Sequence, residues 1–152
     1  MPWRRGLLVA LAVLAVGWLG AAVLSGGRTT GTEYRGQAVQ AATGALGAVR
    51  TARLAGTAQL DGRSVDKYTT TMLDDALADL SDAQQRLAAE PPPTGAGTRL
   101  RDQLVPLLTD ADRRIGDLSR ALDDGDDALV RAAVDALGPL GDRLDEFVRH
   151  NS

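Results

Sequence analysis

Residues Gly6 to Leu24, GLLVALAVLAVGWLGAAVL, run for nineteen positions without a charged side chain, directly after Arg4 and Arg5. As a helix such a run is about 28 Å long, close to the thickness of a bilayer hydrocarbon core. A helix buried in a soluble core rarely goes that far without a polar face, and this run has none. The sequence therefore predicts a single transmembrane helix over residues 6–24, preceded by a short cytoplasmic N-terminus, residues 1–5. Two arginines stand before the span and the next cation is Arg28, which orients the N-terminus to the cytoplasm and the remainder outside the cell membrane. Secretory signals share the basic start but have apolar cores of only about 7–15 residues. A retained signal-anchor is thus the expectation. Cleavage after Ala22 or Ser25, which would release a secreted bundle, is the alternative.

The 127 residues after Ser25 are enough for one domain with a real core and too few for two. There is no cysteine, which excludes disulfides, zinc–thiolate sites and thiol catalysis together. An exported domain of this kind has to rely on packing. Residues 26–152 carry fifteen cations against twenty anions, spread along the segment, and a nucleic-acid partner would require the opposite sign. Arginine outnumbers lysine sixteen to one, a bias that reads as GC-rich bacterial coding, so arginine content by itself carries no functional weight.

Residues 25–32, SGGRTTGT, read as a flexible juxtamembrane linker, and residues 33–150 as an extracytoplasmic helical bundle. Four segments show helical periodicity and no alternating β-branched run competes with them, so the domain is expected to be all-α. The first helix is expected over about Thr32 to Leu60, opened by the capping-box spacing of Thr30 and Glu33 and closed at Asp61-Gly62. Its seam, Val39, Ala42, Leu46, Val49, Gly56 and Leu60, is thin and interrupted by Arg53. Gly36, Gly44, Gly47 and Gly56 each cost about 1 kcal/mol relative to alanine. Either a neighbour packs very closely here or the helix is broken.

Ser64 is a candidate N-cap for the second helix, whose seam is Leu73, Leu77, Leu80 and Leu87 and which should end by Glu90. Pro91-Pro92-Pro93 then imposes an irregular connection. Leu100, Leu104, Leu107, Ala111, Ile115, Leu118 and Leu122 keep one face apolar for about six turns, in phase across Pro106, so a kink is expected there rather than a terminus. Gly125 stops this helix and Asp126 can cap the next, a joint so short that the two must run antiparallel. Val130, Ala133, Leu137, Leu140, Leu144 and Phe147 form the last seam, with a bend expected at Gly138-Pro139. After the transmembrane helix, an up-down-up-down four-helix bundle is the most economical architecture, and a three-helix bundle with a frayed first segment is the runner-up.

Residues of catalytic or ligating type occur in several places, and none has the company that chemistry needs. The cluster Asp123-Asp124-Gly125-Asp126-Asp127 lacks the ligand spacing of a calcium loop and is explained by helix capping, which leaves weak cation binding as a secondary reading. Glu146 and His150 share a helical face, yet the chain has one histidine in total, two residues from its last position. Met72 and His150, the conceivable haem ligands, fall roughly 25 Å apart in this topology. Thr69-Thr70-Thr71 beside Lys67 has no acid–base set, and the hydroxyls are expected to bond back to the preceding turn. Five aromatic residues, three of them in or beside the anchor or linker, cannot line a sugar cleft. No catalytic, cofactor-binding or metal residue is assigned.

The expectation is a membrane-anchored bundle that is not an enzyme and has a binding, adaptor or sensor-input role in the cell envelope, with a membrane span and an envelope protein as partners and no cofactor. Its oligomeric state is not legible. The glycine-rich first helix is the expected binding surface, since small residues leave room for a partner helix. Arg53 is the sharpest single position: an arginine on a seam either snorkels to solvent or pairs inside the bundle.

Overall fold

The computed structural model describes residues 30–62, 66–93 and 95–152. The span assigned to residues 6–24, its cleavage positions and the Ser64 cap lie outside the described residues. Among those described, the chain is all-helical and contains no strand: α1 is Gly31–Leu60, α2 Asp66–Ala89, α3 Ala96–Asp123 and α4 Asp127–Asn151. None of the four is long and apolar enough to cross a membrane.

Three of the boundaries have a plain local cause. Thr30 and Glu33 form the full capping box: the Thr30 N–H donates to Glu33 Oε2 at 2.8 Å, and the Glu33 N–H donates to Thr30 Oγ1 at 3.4 Å. These bonds from the Thr30 backbone, then from its hydroxyl, hold the Glu33 carboxyl below its ordinary value. Because α1 opens at Gly31, Gly31 and Thr32 belong to the helix and not to the juxtamembrane linker expected over residues 25–32.

Between α3 and α4 the chain turns on Gly125, at φ +65°. The Asp126 N–H donates back to the Ala121 carbonyl and the Gly125 N–H to that of Leu122, the Schellman pattern. Asp126 then caps α4, its Oδ1 accepting from the N–H groups of Ala128 and Leu129. One residue thus ends a helix and begins the next. The helices run on through Pro106 and Pro139, and both proline rings face solvent, where they take no space from the core.

Contacts across the bundle give the direction of every helix. On α1 and α4, Arg50 pairs with Asp145, Arg53 lies over Gly138 and Gly56 abuts Val134, an antiparallel progression. Tyr34 lies beside Gly97 and Gly56 beside Leu118, so α1 and α3 run parallel. On α2, Gln84 Nε2 donates to the Leu108 carbonyl of α3 at 3.2 Å. The order is up-down-up-down, with a rhombic cross-section: α1 touches all three other helices, whereas α2 and α4 do not meet among the described residues.

The composition of α1 makes this central place possible. Ala38, Ala41, Ala42, Ala45, Ala48, Ala52, Ala55 and Gly56 are buried, over about half the circumference of the helix, and such small side chains let three neighbours approach one axis. The thin seam of the sequence is therefore a wide face of small residues. Val39, expected on that seam, is only half-buried, and Ala38 takes the core position beside it. The helix is unbroken. Most of the larger side chains come from the partners, beside Tyr34, Leu46 and Val49 of α1 itself: Leu73 and Leu80, Leu104, Leu108, Ile115 and Leu118, and Leu137, Leu140 and Leu144 are almost wholly enclosed. The seams read on α2, α3 and α4 are the buried faces, with Leu77, Leu122 and Ala133 partly covered at their edges.

Candidate binding groove

Four glycines stand inside α1, and the structure separates them into two kinds. A Cβ at Gly56 would collide with α4, so close packing accounts for that glycine. A Cβ at Gly36, Gly44 or Gly47 would meet nothing within 4 Å. These three lower the helix propensity of α1, and the bundle makes no use of the space they leave.

Gly44 and Gly47 lie in the floor of a groove between α1 and the antiparallel α2. At one end it widens to about 570 Å³ between Gln37, Gln40 and Ala41 of α1 and Asp82, Ala83 and Arg86 of α2. At the other, about 470 Å³ opens between Gly47, Ala48 and Thr51 and the α2 residues Met72, Asp75 and Ala76. Both depressions share Gly44 and Asp79, so the groove is continuous.

The lining residues are regularly spaced. Gln37, Ala41, Gly44, Ala48 and Thr51 step by four and three along α1, and Met72, Ala76, Asp79, Ala83 and Arg86 do the same along α2. Two such stripes set side by side form the kind of seam that receives another helix knobs-into-holes. From position 37 to 51 the stripe on α1 is about 21 Å long at 1.5 Å per residue.

Its charge is one-sided. Asp75, Asp79, Asp82 and Glu90 line the α2 side together with one cation, Arg86, while α1 contributes only uncharged Gln37, Gln40 and Thr51. Arg86 is 3.8 Å from Asp82, with both side chains largely exposed, a pair worth little in stability. Asp75 and Asp79 have no ion-pair partner among the described residues.

Two carboxylates outside the groove are engaged between helices. Asp110 of α3, 14% exposed, receives Arg113 and Arg114 of its own helix and Arg143 of α4. Burial alone would raise its carboxyl, but hydrogen bonds and charge from Arg114 and Arg113 outweigh it and hold the group below its ordinary value. Asp145 joins Arg50 of α1 to Arg149 of its own helix.

The other residues singled out by sequence are placed as follows. Arg53 is exposed and makes no ion pair among the described residues, its guanidinium lying about 3.8 Å from the position a Cβ on Gly138 would take. It snorkels across a gap in α4. Asp126 is occupied as a cap, and no group of three or more His, Asp or Glu is placed to hold a metal among the described residues. The His150 ring bonds through Nδ1 to the Glu146 carbonyl of its own helix at 2.9 Å. Met72 edges the groove near Thr51, and His150 stands at the opposite end of the bundle, so the two are not brought together. Thr69 is buried, whereas Thr70 and Thr71 are exposed. The groove carboxylates of α2 were not singled out by sequence, although their spacing, 75, 79, 82, carries the same three-and-four rhythm as Ala41, Gly44 and Ala48 opposite. No protein-family model, curated protein or solved structure matches the chain.

Proposed function

We propose that this protein is a single-pass, membrane-anchored bundle on the extracytoplasmic side of the cell membrane, with a non-catalytic adaptor or sensor-input role exercised through the α1–α2 groove. The uncharged run from Gly6 to Leu24 supports the anchor. The short connection from that run to Thr30 would hold the bundle near the membrane surface. The observation that carries the binding role is the pair Gly44 and Gly47: two destabilising residues inside a central helix, beneath open space, in a heptad-spaced seam. A non-catalytic reading is supported by the company of the polar residues, whose hydrogen bonds are mostly caps, ion pairs and back-bonds to their own helices, with Gln84 tying α2 to the α3 backbone.

Photo-crosslinking in cells, from probes at the exposed rim positions 40 and 82 and at 113 and 142 on the far side of the bundle, tests the role. One defined adduct, confined to the groove positions and lost in Gly44→Leu, is expected. Equal labelling from both faces would overturn it. The intact mass of the same material tests the anchor: the uncleaved chain is expected, and a mass beginning after Ala22 or Ser25 would replace the anchored reading with the secreted one.

A further inference from the structure

We infer that the occupant of the α1–α2 groove is an amphipathic helix of another polypeptide, about four turns long, with apolar residues at three- and four-residue spacing and arginine or lysine along the flank facing α2. This rests on the reading of the groove as a docking seam. The floor, Ala41, Gly44 and Ala48 opposite Ala76 and Ala83, is made of small residues, so the large apolar side chains of the contact have to come from the partner. The rim supplies the charge rule. Between residues 66 and 90 the chain has six carboxylates and two cations, and Asp75 and Asp79 face the groove unpaired among the described residues. An acidic partner flank would meet like charge there, and a neutral one would leave these carboxylates without counter-charge as water is excluded.

The same charge pattern argues against two nearer occupants. A second copy of this domain would need a helix combining an exposed apolar stripe with free cations. Its exposed large apolar residues, Leu54, Val105 and Leu129, stand singly on three different helices, and among the described residues most arginines are already paired to carboxylates. Residues 6–24 of the chain itself are long enough to fill the groove but bring no cation over their whole length. An anionic lipid or nucleic-acid surface would be repelled by the rim.

The test uses the full chain in neutral-lipid nanodiscs, with empty discs as the blank. Two labelled synthetic 18-residue helices serve as probes, identical in their leucine stripe and carrying either arginine or glutamate on one flank. The arginine probe is expected to bind at least tenfold more tightly than its twin. The exposed double variant Asp75→Lys with Asp79→Lys should reverse that preference at unchanged melting temperature, and Gly44→Leu should weaken the arginine probe at least tenfold. If Gly44→Leu abolishes binding while the two probes remain equal in every variant, the groove is a docking seam and the basic partner is refuted. If no variant changes binding of either probe, both readings fall. Crosslinking of a probe at the rim position 40 to residues 6–24 of the same chain would overturn the inference in favour of self-occupation.

Discussion

A Cβ placed on Gly56 would stand 2.5 Å from Val134 Cγ2, so the closest approach of α1 to α4 is set by the absence of one methyl group. Leu118 of α3 lies at 3.1 Å from the same point, and the position is closed from two sides. Gly56→Ala should therefore destabilise the domain by about 1–2 kcal/mol, the overpacking cost exceeding the gain in helix propensity. At Gly44 and Gly47 the same substitution meets nothing and should stabilise by about 0.5–1 kcal/mol each. Thermal denaturation of the three variants checks the opposite signs; a common sign would contradict the packing described.

Arg53→Leu should leave stability unchanged to within about 0.5 kcal/mol or raise it, because the exposed guanidinium gives up no ion pair among the described residues. Urea unfolding measures this directly. A loss above about 3 kcal/mol would reveal a paired buried charge.

Asp110 links α3 to α4, and its pH dependence has a definite direction. Its folded-state pKa lies below the ordinary value of 3.8, so the ionised carboxylate stabilises the native state, fully so above that value. The contribution disappears as pH falls through the folded-state pKa. Asp110→Asn should lower the urea midpoint at about pH 6, and the gap to the unsubstituted chain should close progressively as the pH falls below 3.8. A gap independent of pH would show that the loss is one of packing.

Tyr34 is wholly buried, and its hydroxyl has no hydrogen-bond partner among the described residues. Burial, the larger influence, pushes its pKa up; Arg101 draws it down and Asp102 adds to the rise. Tyr34→Phe removes a desolvated hydroxyl while keeping the ring against Gly97, so it should raise stability by about 1 kcal/mol. It should also remove a loss of stability in the unsubstituted chain as pH climbs above the ordinary tyrosine value of 10.0, since a raised pKa stabilises only below that range. A destabilised Tyr34→Phe would point to a bridging partner at the hydroxyl.

What could be read in advance follows from which forces are local. Capping at Thr30, the stop at Gly125 and the seams of α3 and α4 depend on neighbours three or four positions away, and the sequence displays them. The face of α1 was harder to read. Alanine is compatible with core and surface alike, so Ala38 and Ala41 gave no sign of burial, and Val39 drew attention that belonged beside it. Gly44 and Gly56 look identical as letters; Leu118 and Val134, about sixty and eighty residues from Gly56, tell them apart. The glycine helix was legible as a place to look, but its pairing with Asp75 and Asp79 required the antiparallel register of α2.

The rhombic arrangement also determines how the domain would carry tension. The segment before Thr30 leads directly into α1, which leans on all three other helices. A load applied along the axis of α1 would thus enter at the hub and be shared among three interfaces, whereas one applied to α2 would rest on two. The helix nearest the proposed anchor is the one with the most neighbours to hold it.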